Sequence, residues 1–384
     1  MSEPLRIAFF TDSYLPSVDG VVTSIRNTKA ALERKGHKVY IFAPLHYKDF
    51  IKNEHKRQKD VIYIPGIKFK RYPQYNISIF PIYIIPKIVK YDFSVIHLHT
   101  PFILGFSGLT LARLIKVPTV ATFHTLFMSR EVLKQYGMIK GLSKASFLWK
   151  YSRFFYNKVD RVIAPSESIK ALLEKHKIEN IEVIPNGIDL KRFNYKIKAD
   201  SIRAQIARDN EIVIGYIGRL SLEKHVETLI KAAKILIDKG YNIKLLIGGT
   251  GPAENRYKRE VLKAGIGSKT VFTGFIDDRL LPKYYAALDL YCIPSTFETQ
   301  GLTVLEAMAM NKPVVGADKY AIKDIIRNGY NGEIFRSKDP ISCANSIIKV
   351  IENRDTYKGM LSTANKYDIE ALIDRLINLY AYLK

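Results

Sequence analysis

The strongest constraint on this chain is an alternation. Short β-branched runs alternate with longer stretches of helical periodicity from one end to the other. Leu5–Phe10, Lys38–Ala43, Ser94–His99, Thr119–His124, Arg161–Ala164 and Ile181–Pro185 read as buried strands, and Val22–Lys35, closed by Gly36, reads as one of the helices between them. A second series starts at Ile212–Gly218 and continues through Lys244–Gly248, Thr270–Thr273, Asp289–Pro294 and Pro313–Ala317. A helix between two strands brings the chain back to the edge where it began, so the strands pair in parallel. Two such series predict an α/β fold of two doubly wound, Rossmann-like domains. The turn cluster Pro185-Asn186-Gly187 and the polar stretch after it place the linker near 186–196. The expected domains are 1–190 and 191–366, with a terminal helix in 367–384 able to pack on either.

Composition narrows the setting. Two cysteines in 384 residues make no disulfide framework and fit a reducing compartment. The start carries no signal-peptide pattern, and the most apolar run, Ile77–Pro86, is short and broken by Pro81. A cytoplasmic protein, soluble or peripheral to the membrane, is expected. The charge of +23 favours a polyanionic partner: nucleic acid, a phosphorylated substrate or an anionic membrane. Residues 1–190 hold 29 Lys and Arg against 15 Asp and Glu, so the excess leans to the first half.

In doubly wound sheets, ligands sit beyond the carboxyl ends of the strands, and the candidate residues all fall there. Glu298 and Glu306 lie eight positions apart around Gly301, where a helix starts. Unpaired N–H groups at such a start attract an anion, and carboxylates beside it accept hydroxyl hydrogen bonds from a sugar or ribose. By helical spacing the two glutamates share one side, two turns apart. The plain alternative is a capping carboxylate and a surface glutamate. Gly218-Arg-Leu-Ser-Leu-Glu-Lys224 follows a strand, so Arg219 and Lys224 flank a helix start where a phosphate is stabilised by cation and dipole together. Alternatively they are a strand-end arginine and a solvated lysine. Gly248–Pro252, with Gly249 and Gly251, is a glycine-rich strand end. Gly20 permits close backbone approach after the first strand, or is a simple loop glycine. His124 ends a strand, where a structural role is common.

In this order the motifs resemble glycosyltransferase family 4, retaining enzymes of the GT-B architecture, whose two domains face each other across a cleft. The resemblance spans essentially the whole chain. It implies that Glu298 holds donor-sugar hydroxyls, Glu306 the nucleotide ribose, and Arg219 and Lys224 the diphosphate. Gly20, Gly249 and Gly251 join the donor site, with the backbone of Gln300, Gly301 and Leu302, although many members carry Phe where this chain has Gln300. His124 would touch the sugar from the acceptor side. Catalysis would rest on His124, Arg219, Lys224 and Glu298, through front-face displacement with retention. The sequence has no Asp-x-Asp, so fixed cations can stabilise the leaving group and no metal or other cofactor is expected.

Asp12–Ser24, Thr122–Phe127 and the basic–aromatic Val61–Pro86 look like the diacylglycerol glucosyltransferases of that family, with phosphatidylinositol mannosyltransferases close by. A lipid acceptor and an anionic membrane surface are the expected partners, beside a nucleotide-sugar donor such as UDP-glucose. The contact residues would be Lys68, Lys70, Arg71 and Tyr72 in one segment and Trp149, Arg153 and Tyr156 in another. Wound as a helix, Leu142–Lys158 places Phe147, Leu148, Tyr151, Phe154 and Phe155 on a core face, and Trp149 and Tyr156 beside Arg153 on an exposed one. The competing readings are ordinary core under a solvated basic face, an enzyme with a soluble or glycan acceptor, and a nucleic-acid-binding protein. Against the last, no zinc-finger spacing, basic heptad arm or RNA-binding aromatic signature occurs.

Overall fold

In the computed structural model, which describes residues 3–15, 19–51, 59–69, 72–78, 85–126 and 143–384, the alternation folds into two compact units. One comprises Met1–Gly187 with Ile369–Lys384, the other Ile188–Asp368. The first unit holds β1 (Arg6–Phe10), β2 (Lys38–His46), β3 (Val61–Phe69), β4 (Tyr72–Ser78), β5 (Val95–Leu98), β6 (Thr119–Thr122), β7 (Arg161–Ala164) and β8 (Ile181–Val183). They form one sheet in the order β4-β3-β2-β1-β5-β6-β7-β8. Every neighbouring pair is parallel except β3 with β4, an antiparallel pair at the edge. β1 lies mid-sheet and is covered on both faces, so Ile7, Ala8, Phe9 and Phe10 are all fully buried. That explains its unbroken apolar run.

The helix Gly20–Arg34 starts at Asp19, whose carboxylate accepts from the N–H of Val22 (2.9 Å). Its buried stripe packs with the helix Ile369–Leu383, whose Ile369, Ile373, Leu376, Leu379 and Tyr380 join the core of the first unit. At the rim Arg34 pairs with Glu370 and Lys35 with Asp374, each at 2.8 Å. Exposed pairs of this kind contribute at most about 1 kcal/mol each. Burial of the five apolar side chains, at about 1.5–3 kcal/mol apiece, is what holds the last helix to this unit.

The second unit holds β9 (Ile212–Ile217), β10 (Ile243–Gly248), β11 (Thr270–Gly274), β12 (Leu290–Ile293), β13 (Val314–Ala317) and β14 (Gly332–Phe335). All pair in parallel, in the order β11-β10-β9-β12-β13-β14. Strand order reverses between β1 and β5 in the first unit and between β9 and β12 in the second.

The structure adds to one expectation here and corrects another in part. Val61–Pro86 was read only as a basic–aromatic segment, yet it contributes β3 and β4. Lys68 is exposed on β3, Tyr72 opens β4, and Lys70 and Arg71 lie outside the described residues. The helix Ser143–Tyr156 does form, and its expected faces hold only in part: Phe155 is buried and Arg153 exposed as expected, while other residues change sides. Phe155 and Tyr156 are buried, Trp149 is half-buried with its indole stacked on His176 (3.6 Å), and Phe147 and Phe154 are 66% and 58% exposed. Aromatic residues surround this helix, so counting them cannot choose the inner face. The partners choose it: Phe123 meets the ring of Tyr156 at 5.4 Å, and Ser152 is small enough to be buried beneath it.

Candidate active site

The switch point of the second unit lies between β9 and β12, and the loops that follow these two strands stand where doubly wound sheets bind their ligands. Beyond β9, Gly218–Ser221 runs into a 3₁₀ turn, Leu222–Lys224. His225 then adopts a left-handed conformation (φ +48°) before the helix Val226–Asp238. Beyond β12, Pro294–Gly301 leads into the helix Leu302–Ala309. Two hydrogen bonds join these loops: Lys224 Nζ donates to Glu298 Oε1 at 2.6 Å, and the N–H of Thr296 to the carbonyl of Glu223 at 3.4 Å. The Lys224 and Glu298 side chains are only 20% and 16% exposed. Partial burial strengthens the pair and makes loss of either partner costly. Arg219 is half-buried in the same loop, and its carbonyl accepts from the Tyr216 hydroxyl (2.9 Å).

The helix Leu302–Ala309 begins at Gly301 in the left-handed region (φ +81°), with no side-chain cap and no acidic residue in its first turn. Its N-terminus is suited to an anion. Gln300 is buried and Leu302 half-buried beside it. The two-turn spacing of the glutamates is corrected. The helix starts only at Leu302, so Glu298 sits on the loop while Glu306, 7% exposed, faces inward. Tyr285 donates to its Oε2 (2.8 Å). Burial lifts the Glu306 carboxyl to about 7, with the Tyr285 bond and the Arg192 charge opposing and Asp278 adding to the rise. Arg192 is held by the Asp278 carboxylate at 2.6 Å. Neither Tyr285 nor Arg192 belongs to a motif, and only the folded chain brings them here.

Gly249 and Gly251 have a role inside the protein. A Cβ on Gly249 would come 2.1 Å from the Gly218 carbonyl oxygen, and one on Gly251 would come 2.3 Å from that of Leu220. Their bareness lets the β10 loop lie against the β9 loop, where Leu220 N–H donates to the Thr250 carbonyl (2.9 Å) and Ala253 N–H to that of Leu220 (2.8 Å). They shape the loop that carries Arg219.

In the first unit, the switch point lies between β1 and β5. Asp12, beyond β1, accepts from Thr100 Oγ1 (2.6 Å) and from the N–H groups of Leu104 (2.9 Å) and Gly105 (3.4 Å), and so ties β1 to the start of the helix Ile103–Ile115. Gly20 opens its helix, and among the described residues no atom lies within 4 Å of a notional Cβ, so none of them requires glycine there. His124 lies two residues beyond β6. Its Nε2 is 3.0 Å from Nδ1 of His99, and burial pushes His124 down to about 3, so both its ring and its neighbour are neutral at ordinary pH. His99 and His97 were not singled out in the sequence, although their alternate spacing in Val95-Ile-His-Leu-His99 was a legible signal.

Two doubly wound units in one chain, with paired cation and carboxylate at the switch point of the second, define the GT-B class of sugar-transferring enzymes. Residues 18–192 match the model of Glycosyltransferase Family 4, and residues 198–367 that of Glycosyl transferases group 1. The chain is 32% identical to the alpha-monoglucosyldiacylglycerol synthase of Streptococcus pneumoniae, over 88% of this chain and 77% of that protein. It is 29% identical to a GDP-mannose-dependent alpha-mannosyltransferase of Mycolicibacterium smegmatis, over 88% of this chain and 86% of that one. Among solved structures, Anabaena HepE in complex with UDP and glucose superposes with a TM-score of 0.75 at 20% identity, covering 98% of this chain and 99% of that one. The chain belongs to glycosyltransferase family 4.

Proposed function

We propose that the protein transfers glucose from UDP-glucose to a lipid acceptor such as diacylglycerol, with retention of the anomeric configuration, at an anionic membrane surface. The observation that carries the transfer chemistry is the Lys224–Glu298 pair at the β9/β12 switch point, beside an uncapped helix start. Arg219 and Lys224 neutralise the diphosphate as the bond from C1 to the β-phosphate oxygen breaks. Glu298 accepts from sugar hydroxyls and orients the donor, and Glu306 accepts from the ribose. The acceptor hydroxyl adds to C1 from the face the phosphate leaves, and its proton passes to the departing phosphate oxygen. No carboxylate is then needed as a covalent nucleophile.

The lipid acceptor is supported by the relative named for a glucosyldiacylglycerol and by the outer face of the helix Ser143–Tyr156. Phe147 and Phe154 stand out beside the exposed Lys150 and Arg153, and Lys158 lies over the Phe154 ring at 4.4 Å. An aromatic and basic face of this kind suits a helix lying on anionic lipid. Next to it, Phe102, Ile103, Phe106, Leu114 and Tyr151 line an apolar groove of about 470 Å³, room for part of an acyl chain. No helix among the described residues is long and apolar enough to cross a membrane. The mannosyltransferase relative makes GDP-mannose the competing donor. The test is transfer from a panel of sugar nucleotides to diacylglycerol in vesicles, with the product anomer read by NMR. An α-glucosyl lipid from UDP-glucose is expected. Efficient transfer from GDP-mannose with none from UDP-glucose would overturn the donor, and reaction only with water-soluble acceptors would overturn the lipid.

A further inference from the structure

We propose that Tyr216, Tyr257 and Tyr291 are positioning residues, whose buried hydroxyls hold the backbone that carries Arg219 and Lys224 in place for the diphosphate. The inference rests on the assignment of Arg219 and Lys224 to that group. It starts from three carbonyls, each two residues from the next, at the end of β9 and just beyond it. Tyr291, on β12, donates to the carbonyl of Ile217 (3.0 Å). Tyr216, on β9, donates to that of Arg219 (2.9 Å), and Tyr257, on the helix Glu254–Lys263, to that of Ser221 (2.7 Å). All three side chains are at most 2% exposed. Burial raises each phenol above its ordinary value, so at neutral pH each keeps the proton it donates.

The same stretch is gripped from its other side. Gly218 N–H donates to the Gly248 carbonyl (3.0 Å), Leu220 N–H to that of Thr250 (2.9 Å), and the Leu220 carbonyl accepts from Ala253 N–H (2.8 Å). Bonds to the β10 side therefore alternate with bonds to a phenol, the alternation of a strand carried past the end of β9. Two of the hydroxyls reach further. Tyr257 also receives the N–H of Val226, so one oxygen joins Ser221 to the first residue of the next helix and closes the 3₁₀ turn that holds Lys224. Tyr291 also bonds to the side chain of Thr303, in the first turn of the helix Leu302–Ala309, so the β9 loop and that helix start share one support. Each bond to a carbonyl directs the negative end of a peptide dipole into the core, the orientation that least opposes an anion bound by the two cations.

The test removes one oxygen. Tyr216→Phe keeps the ring and its packing, and the Arg219 carbonyl loses its donor. Affinity is measured by ligand-observed NMR titration with UDP and uridine, and in parallel with GDP and guanosine, so that the ratio of nucleoside diphosphate to nucleoside isolates the diphosphate. Arg219→Ala should lower the affinity for the diphosphate roughly 10- to 100-fold, as loss of a hydrogen bond to a charged group does. Tyr216→Phe should lower it on the order of 10-fold, with the nucleoside unchanged, and should add little once Arg219 is Ala, because two residues acting through one contact are coupled. Tyr357→Phe is the control. It removes an equally buried hydroxyl, bonded to Glu333 on the edge strand β14 (2.9 Å), and should leave the ratio as it was. If Arg219→Ala leaves the ratio unchanged, the diphosphate assignment fails and this proposal with it. If Arg219→Ala lowers the ratio, three results overturn the positioning role alone: no effect of Tyr216→Phe, an equal loss for nucleoside and diphosphate, or the same loss with Arg219 present and absent. Should Tyr216→Phe fail to fold, Tyr291→Phe puts the same question through the Ile217 carbonyl, and Tyr257→Phe puts it through Ser221 with Lys224→Ala as the coupled change.

Discussion

Replacing Glu306 with Gln should make the protein more stable at alkaline pH and a poorer nucleotide binder at the same time. The carboxyl is buried, and its ordinary value near 4.5 is lifted to about 7. Between those values the folded protein keeps a proton that the unfolded chain has released, so its stability falls as pH rises through this window and levels off above it. The whole loss amounts to about 3 kcal/mol. A neutral glutamine of the same shape can still accept from Tyr285 and carries no such penalty. The variant should match the wild type near about pH 4.5 and exceed it by about 3 kcal/mol near about pH 9. Lys312, held down to about 8 by burial and by the Arg354 and Arg203 charges, titrates in both proteins and drops out of the comparison. Urea unfolding followed by circular dichroism at the two pH values measures the difference, and calorimetric titration with UDP should show a loss of about 1.5–3 kcal/mol, the worth of a hydrogen bond to a charged acceptor. A stability difference that is the same at both pH values would refute the reasoning, since burial of the charge would then not be what separates Glu from Gln.

Arg219→Ala and Lys224→Ala should each reduce turnover by roughly 10²–10³ at saturating donor, as removal of one fixed donor to a developing oxyanion does; near-normal turnover in both folded variants would remove them from the diphosphate site. Because Lys224 and Glu298 are bonded to each other, Lys224→Ala combined with Glu298→Gln should be less damaging than the sum of the single changes, by about 0.5–3 kcal/mol in a double-mutant cycle; strict additivity would mean that the pair does not form in the working enzyme. Activity should survive excess EDTA, the leaving group being met by side-chain cations, and loss on chelation with recovery on Mg²⁺ would contradict that. Sedimentation with anionic vesicles should weaken when Phe147 and Phe154 are changed to Ser, at high salt as well as low. Changing Lys150 and Arg153 to Ser should weaken it mainly at low salt, each cation being worth about 1 kcal/mol near the surface; a wild-type protein left in the supernatant at low salt would sink the membrane assignment.

Periodicity and turn residues by themselves determined the doubly wound class, the position of most central strands and the clustering of candidate residues at strand ends. β7 falls at Arg161–Ala164, where its apolar run predicts it, and β9 stops one residue short of the Gly218 at which its run was drawn. Such features belong to single elements, and a buried parallel strand announces itself by an unbroken apolar run. What only the tertiary structure decided concerns pairs far apart along the chain. Lys224 meets Glu298 across 74 residues because β9 and β12 are neighbours in the sheet, and His97 meets Tyr380 across 283 because the last helix returns to the first unit. The inner face of Ser143–Tyr156 was settled by the rings of His176 and Phe123, and the inward turn of Glu306 by Tyr285. A helix with aromatic residues on every side, or a glutamate one turn into a helix, is compatible with more than one burial pattern. The free energy that selects among these patterns lies in packing against distant elements and in satisfying buried polar atoms, and neither quantity exists until the sheet order is set.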